Sequence, residues 1–227
     1  DVPAGFLSLC AGNLPTAAAV DPALTNADYP QKLFAPIIYT GTGAEKAIAL
    51  GFQSDLTWVK ERDGANANKW TDSSRGATTA FITESSNAET TDTEGVKAFT
   101  ATGFTLGTDV IYNNNTDTYV SWSWRINGGT TAANSEGSQS STVQANQDIG
   151  ISIVTYTGEH SSAGVSTVGH GLSSAPQLII CKGRSAASWW TQCVFTTNAN
   201  THLVFGATNA QTSLTGYGTM ARPTDVV

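Results

Sequence analysis

The chain has 227 residues, enough for one large domain or two small ones, and its surface is polar but weakly ionic: 13% of side chains are charged, 40% are hydrophobic, and most of the rest are Thr, Ser, Asn, Gly and Ala. A net charge of −7 without any Lys/Arg cluster excludes a phosphate-neutralising nucleic-acid interface. No apolar run approaches the roughly 20 residues that cross a bilayer, and Cys10, Cys181, Cys193, His160, His170 and His202 are too scattered for a structural zinc site.

Residues 1–32, with Pro3, Pro15, Pro22 and Pro30 around an Ala-rich centre, read as the end of a preceding module and an extended connector. The opening Asp1 to Leu9 starts in mid-pattern, without the basic, apolar and small-residue stages of a signal peptide, so a stretch of a longer protein is expected. Residues 33–127 read as a first β-sandwich module. Within it, Thr91 or Asp92 is a candidate cap for one helical turn carrying Val96 and Phe99, although Gly95 weakens it by about 1 kcal/mol. Asn113 to Asp117 separates Val110-Ile111-Tyr112 from Thr118-Tyr119-Val120, which predicts a hairpin, because asparagine tolerates left-handed backbone. Val120, Trp122 and Trp124 alternate with Ser121 and Ser123, the period of a strand with one buried face, and the aromatic face is assigned to the core.

Residues 128–147, rich in Gly, Ser and Thr, read as a linker or as an arm packed along its own module; a single larger sandwich is a third arrangement. Residues 148–227 read as a second, incomplete β-sandwich module, opening with the alternation of Ile151, Ser152 and Ile153. Cys181 and Cys193 could meet across a hairpin, but the apolar setting Leu178-Ile179-Ile180-Cys181 favours a buried free thiol. Short strands with Gly-rich and Asn-rich turns, little helix and no βα alternation predict an all-β fold of tandem antiparallel, jelly-roll-like sandwiches.

The tandem reading rests on a near-repeat. Tyr39-Thr40-Gly41, Gly51-Phe52 and Trp58-Val59-Lys60-Glu61-Arg62 reappear as Tyr156-Thr157-Gly158, Gly171-Leu172 and Ile180-Cys181-Lys182-Gly183-Arg184. The offset is 117 between the tyrosines, 120 between the glycines and 122 between the basic residues, a drift that belongs in loops. The aromatic run beginning at Tyr119 follows Tyr39 by 80 residues, and the same step from Tyr156 passes Val227, so the second copy is expected to lack its closing strand. An edge left open in that way would favour association or aggregation.

No GxSxG elbow, HExxH, P-loop or dinucleotide fingerprint is present, so no catalytic residue is assigned and the chain reads as non-enzymatic. The strongest enzymatic alternative is a polysaccharide depolymerase, which needs only two suitably separated carboxylates. Glu61 with Asp63, or Glu89, Asp92 and Glu94, are the candidates, yet all sit in loop-like sequence where solvated acids are ordinary. Asp92 and Glu94 also offer hard oxygen ligands for calcium, without an EF-hand pattern, and a bare solvated loop is the preferred account. Trp58 is assigned to the core, because Ile180 takes its place in the second copy. Trp70, amid Asn66, Asn68 and Asp72, is expected to be partly exposed, as is one of the pair Trp189 and Trp190, with core or module-contact packing preferred to ligand binding at either site. Lys60 with Arg62 and Lys182 with Arg184 share a strand face and suggest a structural job, such as pairing with Asp72 or a backbone carbonyl. Arg75 is a candidate for a buried ion pair or a ligand contact, the ion pair preferred. Trp70, Asp72, Arg75, Trp189 and Trp190 are thus the candidate ligand-binding residues.

The strings YTGTG, GFQSDLTWVKER, DSSRGATT, GFTLGT, TYVSWSWRINGGT, VTYTG and VGHGLSSAPQLIICKGRS together resemble a repeated lectin-like, concanavalin-A-like module of marine bacteriophage tail-fibre and virion-surface proteins, over most of residues 35–227. PAGFLSLCAGNLP resembles the segment that follows a SPRY-like sandwich in such proteins. Ser54 and Glu61 depart from that pattern, where proline and asparagine are common. The resemblance implies a virion-exposed segment, assembled in the reducing bacterial cytoplasm, that meets host-surface polysaccharide and other virion proteins as a homotrimer or higher assembly. It supplies no functional residue to carry over. A purely structural spacer or decoration protein is the alternative.

Overall fold

The computed structural model describes residues 29–158, 166–185, 187, 192–195, 201–208 and 212–213. After a 3-10 turn at Pro30–Lys32 come strands β1 (Phe34–Thr40), β2 (Lys46–Ala49), β3 (Leu56–Glu61), β4 (Lys69–Asp72), β5 (Thr79–Ile82), β6 (Thr90–Thr91), β7 (Val96–Thr100) and β8 (Gly103–Leu106). A single helical turn, α1 (Val110–Asn113), precedes β9 (Thr118–Trp124). There follow β10 (Ala132–Asn134), β11 (Ser141–Asn146), β12 (Ile151–Tyr156), β13 (Leu178–Cys181), β14 (Gln192–Phe195), β15 (Thr201–Val204) and β16 (Thr212–Ser213). The fold is all-β, with every pair of the described strands antiparallel, as alternation predicts.

A six-stranded sheet in the order β1-β9-β3-β4-β5-β6 faces a three-stranded sheet, β2-β8-β7. Tyr39, Val59 and Tyr119 from the first meet Ile48, Val96, Phe104 and Leu106 from the second, and Tyr112 of α1 closes one end of this core. Phe104, Leu106, Val59 and Tyr119 are wholly buried, and sheets packed this way bury one side chain in every two along each strand.

The alternation of β9 is real, but its sense is the reverse of the expected one. Tyr119, Ser121 and Ser123 point into the sandwich, whereas Val120, Trp122 and Trp124 lie half-buried on the outer face, as does Trp58 of β3. Neither Trp122 nor Trp124, nor Trp58, belongs to the core between the sheets. The inner face instead carries small hydroxyls that bond to one another: Ser54 Oγ lies 2.7 Å from Thr57 Oγ1, which is 3.4 Å from Ser123 Oγ. Across the outer face the indoles form a row, with Trp58 stacked on Trp70 at 5.8 Å and tilted against Trp122 at 5.6 Å.

Two local expectations are overturned. Val110-Ile111-Tyr112 is not the first arm of a hairpin but the helical turn α1, because the Asp109 carboxylate accepts the Ile111 N–H at 2.8 Å and caps it. The Asn113 side chain is then consumed inside the fold, donating to Ala44 O at 2.6 Å and Gly107 O at 2.7 Å and accepting from Thr42 N at 2.9 Å. The helical turn expected from Thr91 or Asp92 to Phe99 is a turn followed by β7, whose partner β8 supplies backbone bonds that a helix interrupted by Gly95 would have to make alone.

The stretch 128–147, read first as a linker, holds β10 and β11, which pair with β12 in one three-stranded sheet. A boundary between β10 and β12 would run through that sheet. The remaining described strands form a four-stranded sheet, β13-β14-β15-β16. In it Ile180 faces Cys193 and Cys181 faces Gln192, so the two cysteines are one position out of register and Cys181 is a free thiol. Trp189 and Trp190 lie outside the described residues, as do residues 1–28.

Candidate functional site

Three of the five candidate ligand residues converge at the end of β4, and all three are occupied. The Arg75 side chain, 3% exposed, donates from Nε to Asp72 Oδ2 at 2.6 Å and from Nη1 to Glu89 Oε2 at 3.1 Å, and its guanidinium lies 4.2 Å above the Phe81 ring. Asp72 also accepts the Arg75 N–H at 2.9 Å, so the turn after β4 is built around this carboxylate. Such an arrangement satisfies a buried guanidinium on its edge and on its face. Trp70 is sandwiched between Trp58 and Phe81, and its buried indole N–H has no partner, as is true of Trp58. The remaining pair, Trp189 and Trp190, falls outside the described residues.

The ion network continues into the C-terminal half. Arg184 grips Glu89 in a bidentate pair, Nε to Oε2 at 2.9 Å and Nη2 to Oε1 at 2.8 Å, while the Glu89 N–H donates to Arg184 O at 2.9 Å. Burial works to raise the Glu89 pKa, but Arg184 and Arg75 outweigh it and hold the carboxyl below its ordinary range. Beside it, Lys182 Nζ donates to Ser85 O at 3.0 Å, and Phe205 stacks on Trp58 at 5.9 Å. The basic pair Lys182 and Arg184 therefore fastens the region of β13–β15 to the outer face and the β5–β6 turn. Lys60, at the matching place in the near-repeat, serves its own hairpin, donating to Gly64 O at 3.2 Å and Asn66 O at 2.8 Å. A backbone carbonyl is the partner in both cases; Asp72 is left to Arg75.

The other carboxylates are also committed to structure. Glu61, 6% exposed, accepts the Asn66 N–H at 3.1 Å. Asp63 accepts the Thr118 N–H at 3.0 Å with each oxygen, which, against a smaller effect of burial, holds its pKa low. Glu94 accepts from Thr108 N at 3.3 Å and Oγ1 at 3.1 Å, and Asp92 is ion-paired with Lys69. Glu61 is thus buried and the Asp92 side chain is mostly covered, contrary to the solvated loop acids expected. Among the described residues no group of three or more His, Cys, Asp and Glu side chains is arranged to hold a metal ion.

Sequence reasoning missed Asp55, Gln144 and Lys69. Asp55, wholly buried before β3, collects the N–H groups of Ile126 at 2.6 Å, Gly128 at 2.9 Å and Gly129 at 2.7 Å, with the Ser73 hydroxyl at 2.8 Å. Gly128 and Gly129 have φ of 59° and 78°, the left-handed backbone that turns consecutive N–H groups toward one anion. Gln144 of β11, equally buried, accepts the Gly129 N–H at 3.1 Å and donates to Ser73 Oγ at 2.9 Å and Ser74 Oγ at 2.8 Å. A double glycine just past a strand was the available signal. Its partner lies 73 residues upstream of Gly128, and nothing local names it.

A shallow cleft of about 190 Å³ beside β10 is lined by amides, hydroxyls and small apolar groups, among them Asn127, Thr131, Asn134 and Val143, with no charged or aromatic side chain. No candidate acid opens onto it. Searches of curated proteins and of solved structures return no match. A family model described as a domain of unknown function, DUF7483, matches residues 29–227, both halves of the near-repeat together. The chain belongs to the DUF7483 family.

Proposed function

We propose that this chain is a non-enzymatic structural segment of a virion-surface protein, a fibre spacer or a tail or capsid decoration, displayed in a homotrimer or higher assembly. The observation that carries the structural part is the continuous network Asp72–Arg75–Glu89–Arg184, which consumes the residues best suited to a ligand in tying the two halves of the chain together. The virion part draws on the motif resemblance. The acids that a depolymerase would need are each held by a backbone N–H, a hydroxyl or a basic side chain, which supports a role without catalysis.

A second role, contact with host-surface polysaccharide, draws on a different observation. Phe34 is 37% and Ile38 66% exposed on the outer face of the edge strand β1, with Phe34 against Trp124 at 5.1 Å, and exposed apolar faces of this kind can stack on sugar rings. Antibodies against the chain should label intact particles, and particles lacking it should lose fibre or decoration density in electron micrographs. Unlabelled particles with unchanged density would overturn the virion assignment. Retention of host polysaccharide by the purified chain, lost in Phe34→Ala, would replace the spacer role by receptor binding.

A further inference from the structure

Lys69 sits at the start of β4 with its side chain among the inner-face residues, in a place where a lone ammonium would be costly. Two aspartates from separate parts of the chain meet it there. Its Nζ touches Asp92 Oδ2, in the turn after β6, and lies 2.9 Å from Asp109 Oδ2, just before α1. The three side chains are only 10%, 11% and 19% exposed. The Tyr112 ring, 5.3 Å from Nζ, forms one wall. Gly95 forms another: a Cβ there would come within 2.6 Å of Tyr112 Cε2 and 2.7 Å of Asp92 Oδ2, so the pocket is closed to anything larger than the glycine.

The two carboxyls are not equivalent. Burial works to raise both, but Asp109 is pinned by the Ile111 N–H on Oδ1 and held low by that bond together with Asp92 and Lys69. Asp92 has no such anchor on its carboxyl, and burial, with Asp109 adding to it, pushes it up against the opposing pull of Lys69. Burial works against the Lys69 charge, but Asp92 and Asp109 outweigh it and hold the ammonium, which thus lies against one carboxyl able to take its proton and a second that stays ionised. Those are the requirements for acyl transfer to nitrogen: a neutral electrophile, a nearby nucleophile and a base that reaches both.

We propose that Lys69 and Asp92 condense to an intramolecular amide, with Asp109 as the proton carrier. The Lys69 ammonium passes one proton to the Asp92 carboxylate. The freed Nζ lone pair then attacks Asp92 Cγ, forming the C–N bond and a tetrahedral intermediate. Asp109 removes one proton from that nitrogen and delivers it to the departing hydroxyl, and the C–O bond breaks with release of water. Ammonium and carboxylate become amide and water, with no oxidant, cofactor or activated ester required. The cover of Tyr112 and the close approach at Gly95 limit the access of water to the product. The amide would lock the turn after β6 to β4, next to the network through Glu89, independently of where the chain is displayed.

The test is intact mass spectrometry of the denatured full chain with tandem sequencing of its digest. The wild-type chain should weigh about 18 Da less than its sequence mass, the loss of one water, and a branched peptide should join Lys69 to Asp92. Lys69→Arg keeps the positive charge but cannot form the amide, and should restore the full mass in a chain that is still folded by near-UV circular dichroism. Asp109→Asn should slow or abolish the mass loss. Folded wild-type chain that keeps its full sequence mass after prolonged incubation would overturn the proposal, whatever the variants do. A deficit that maps to dehydration of Asp63 beside Gly64 would overturn it equally. Formation of the branched peptide at an undiminished rate in Asp109→Asn would remove Asp109 from the mechanism.

Discussion

The two faces of the six-stranded sheet are built from opposite materials. The inner face carries Thr57, Thr71, Ser121 and Ser123, all buried, with Val59, Tyr39 and Tyr119 as its apolar contribution. The outer face carries Trp58, Trp70, Phe81 and Trp122 in one run of ring contacts and Phe34 with Trp124 in another, and none of the four indoles is fully buried. On the inner face Thr57 and Ser123 hydroxyls bond one another and Thr71 bonds the Tyr112 hydroxyl, while Ser121 Oγ is buried without a partner among the described residues; the indoles have a looser cover, part of which Phe205 provides. Burial of an aromatic row is therefore no guide to where a domain's tightest core lies.

That contrast can be broken by mutation. Phe104→Ala empties a wholly buried site between the sheets and should cost about 3–5 kcal/mol, whereas Trp122→Ala on the outer face, although it removes more atoms, should cost only about 1–2 kcal/mol, because water can enter. Denaturant unfolding of both variants measures the difference, and equal losses would mean that the outer face is as tightly packed as the inner one. Next in size is Arg75→Ala, which leaves the Asp72 carboxylate buried without its guanidinium and should cost about 3 kcal/mol. A loss under about 0.5 kcal/mol, the range of an exposed pair, would mean that this network is ornamental.

The smallest effect is a pH dependence. Because the folded-state pKa of Glu89 is held below its unfolded value, its pairing stabilises the fold above the unfolded pKa of about 4.3 and is lost as the pH falls through the folded value. Wild-type stability should drop more steeply below about pH 4.3 than that of Glu89→Gln, which is already weaker at neutral pH by about 1 kcal/mol. Parallel acid profiles for the two proteins would show that Glu89 does not couple the halves. The partly exposed Arg184 places this junction at the weak end of the scale.

Particular elements show what could be read ahead of the structure. The Ser/Trp alternation of β9 is a strand signal whose period survives as alternate burial, the Ile/Ser alternation of β12 marks a strand that is half-buried on both faces, and Arg75 forms the buried ion pair preferred for it, with Asp72 as its partner. The hairpin expected at Asn113 fails because its first arm had a competing local solution, the Asp109 cap, which needs only two residues. Asp55, Gln144 and Lys69 escaped notice because their partners lie 18 to 74, 15 to 71, and 23 to 40 residues away, respectively. Strand alternation carries no information about such distances.

Local chemistry thus determined that this chain would be antiparallel β-structure with little helix, and where several of its strands lie, since these follow from side-chain period, turn residues and short separations. Only the tertiary structure decided which face of each strand is inside, because alternation is symmetric and the choice depends on the sheet packed opposite. It also decided that the stretch 128–147 joins a sheet, that Lys182 and Arg184 fasten one half to the other, and that Lys69, Asp92 and Asp109 meet in one enclosed site. Those outcomes depend on segments distant in sequence closing on one another, with burial then setting the charge each group can hold.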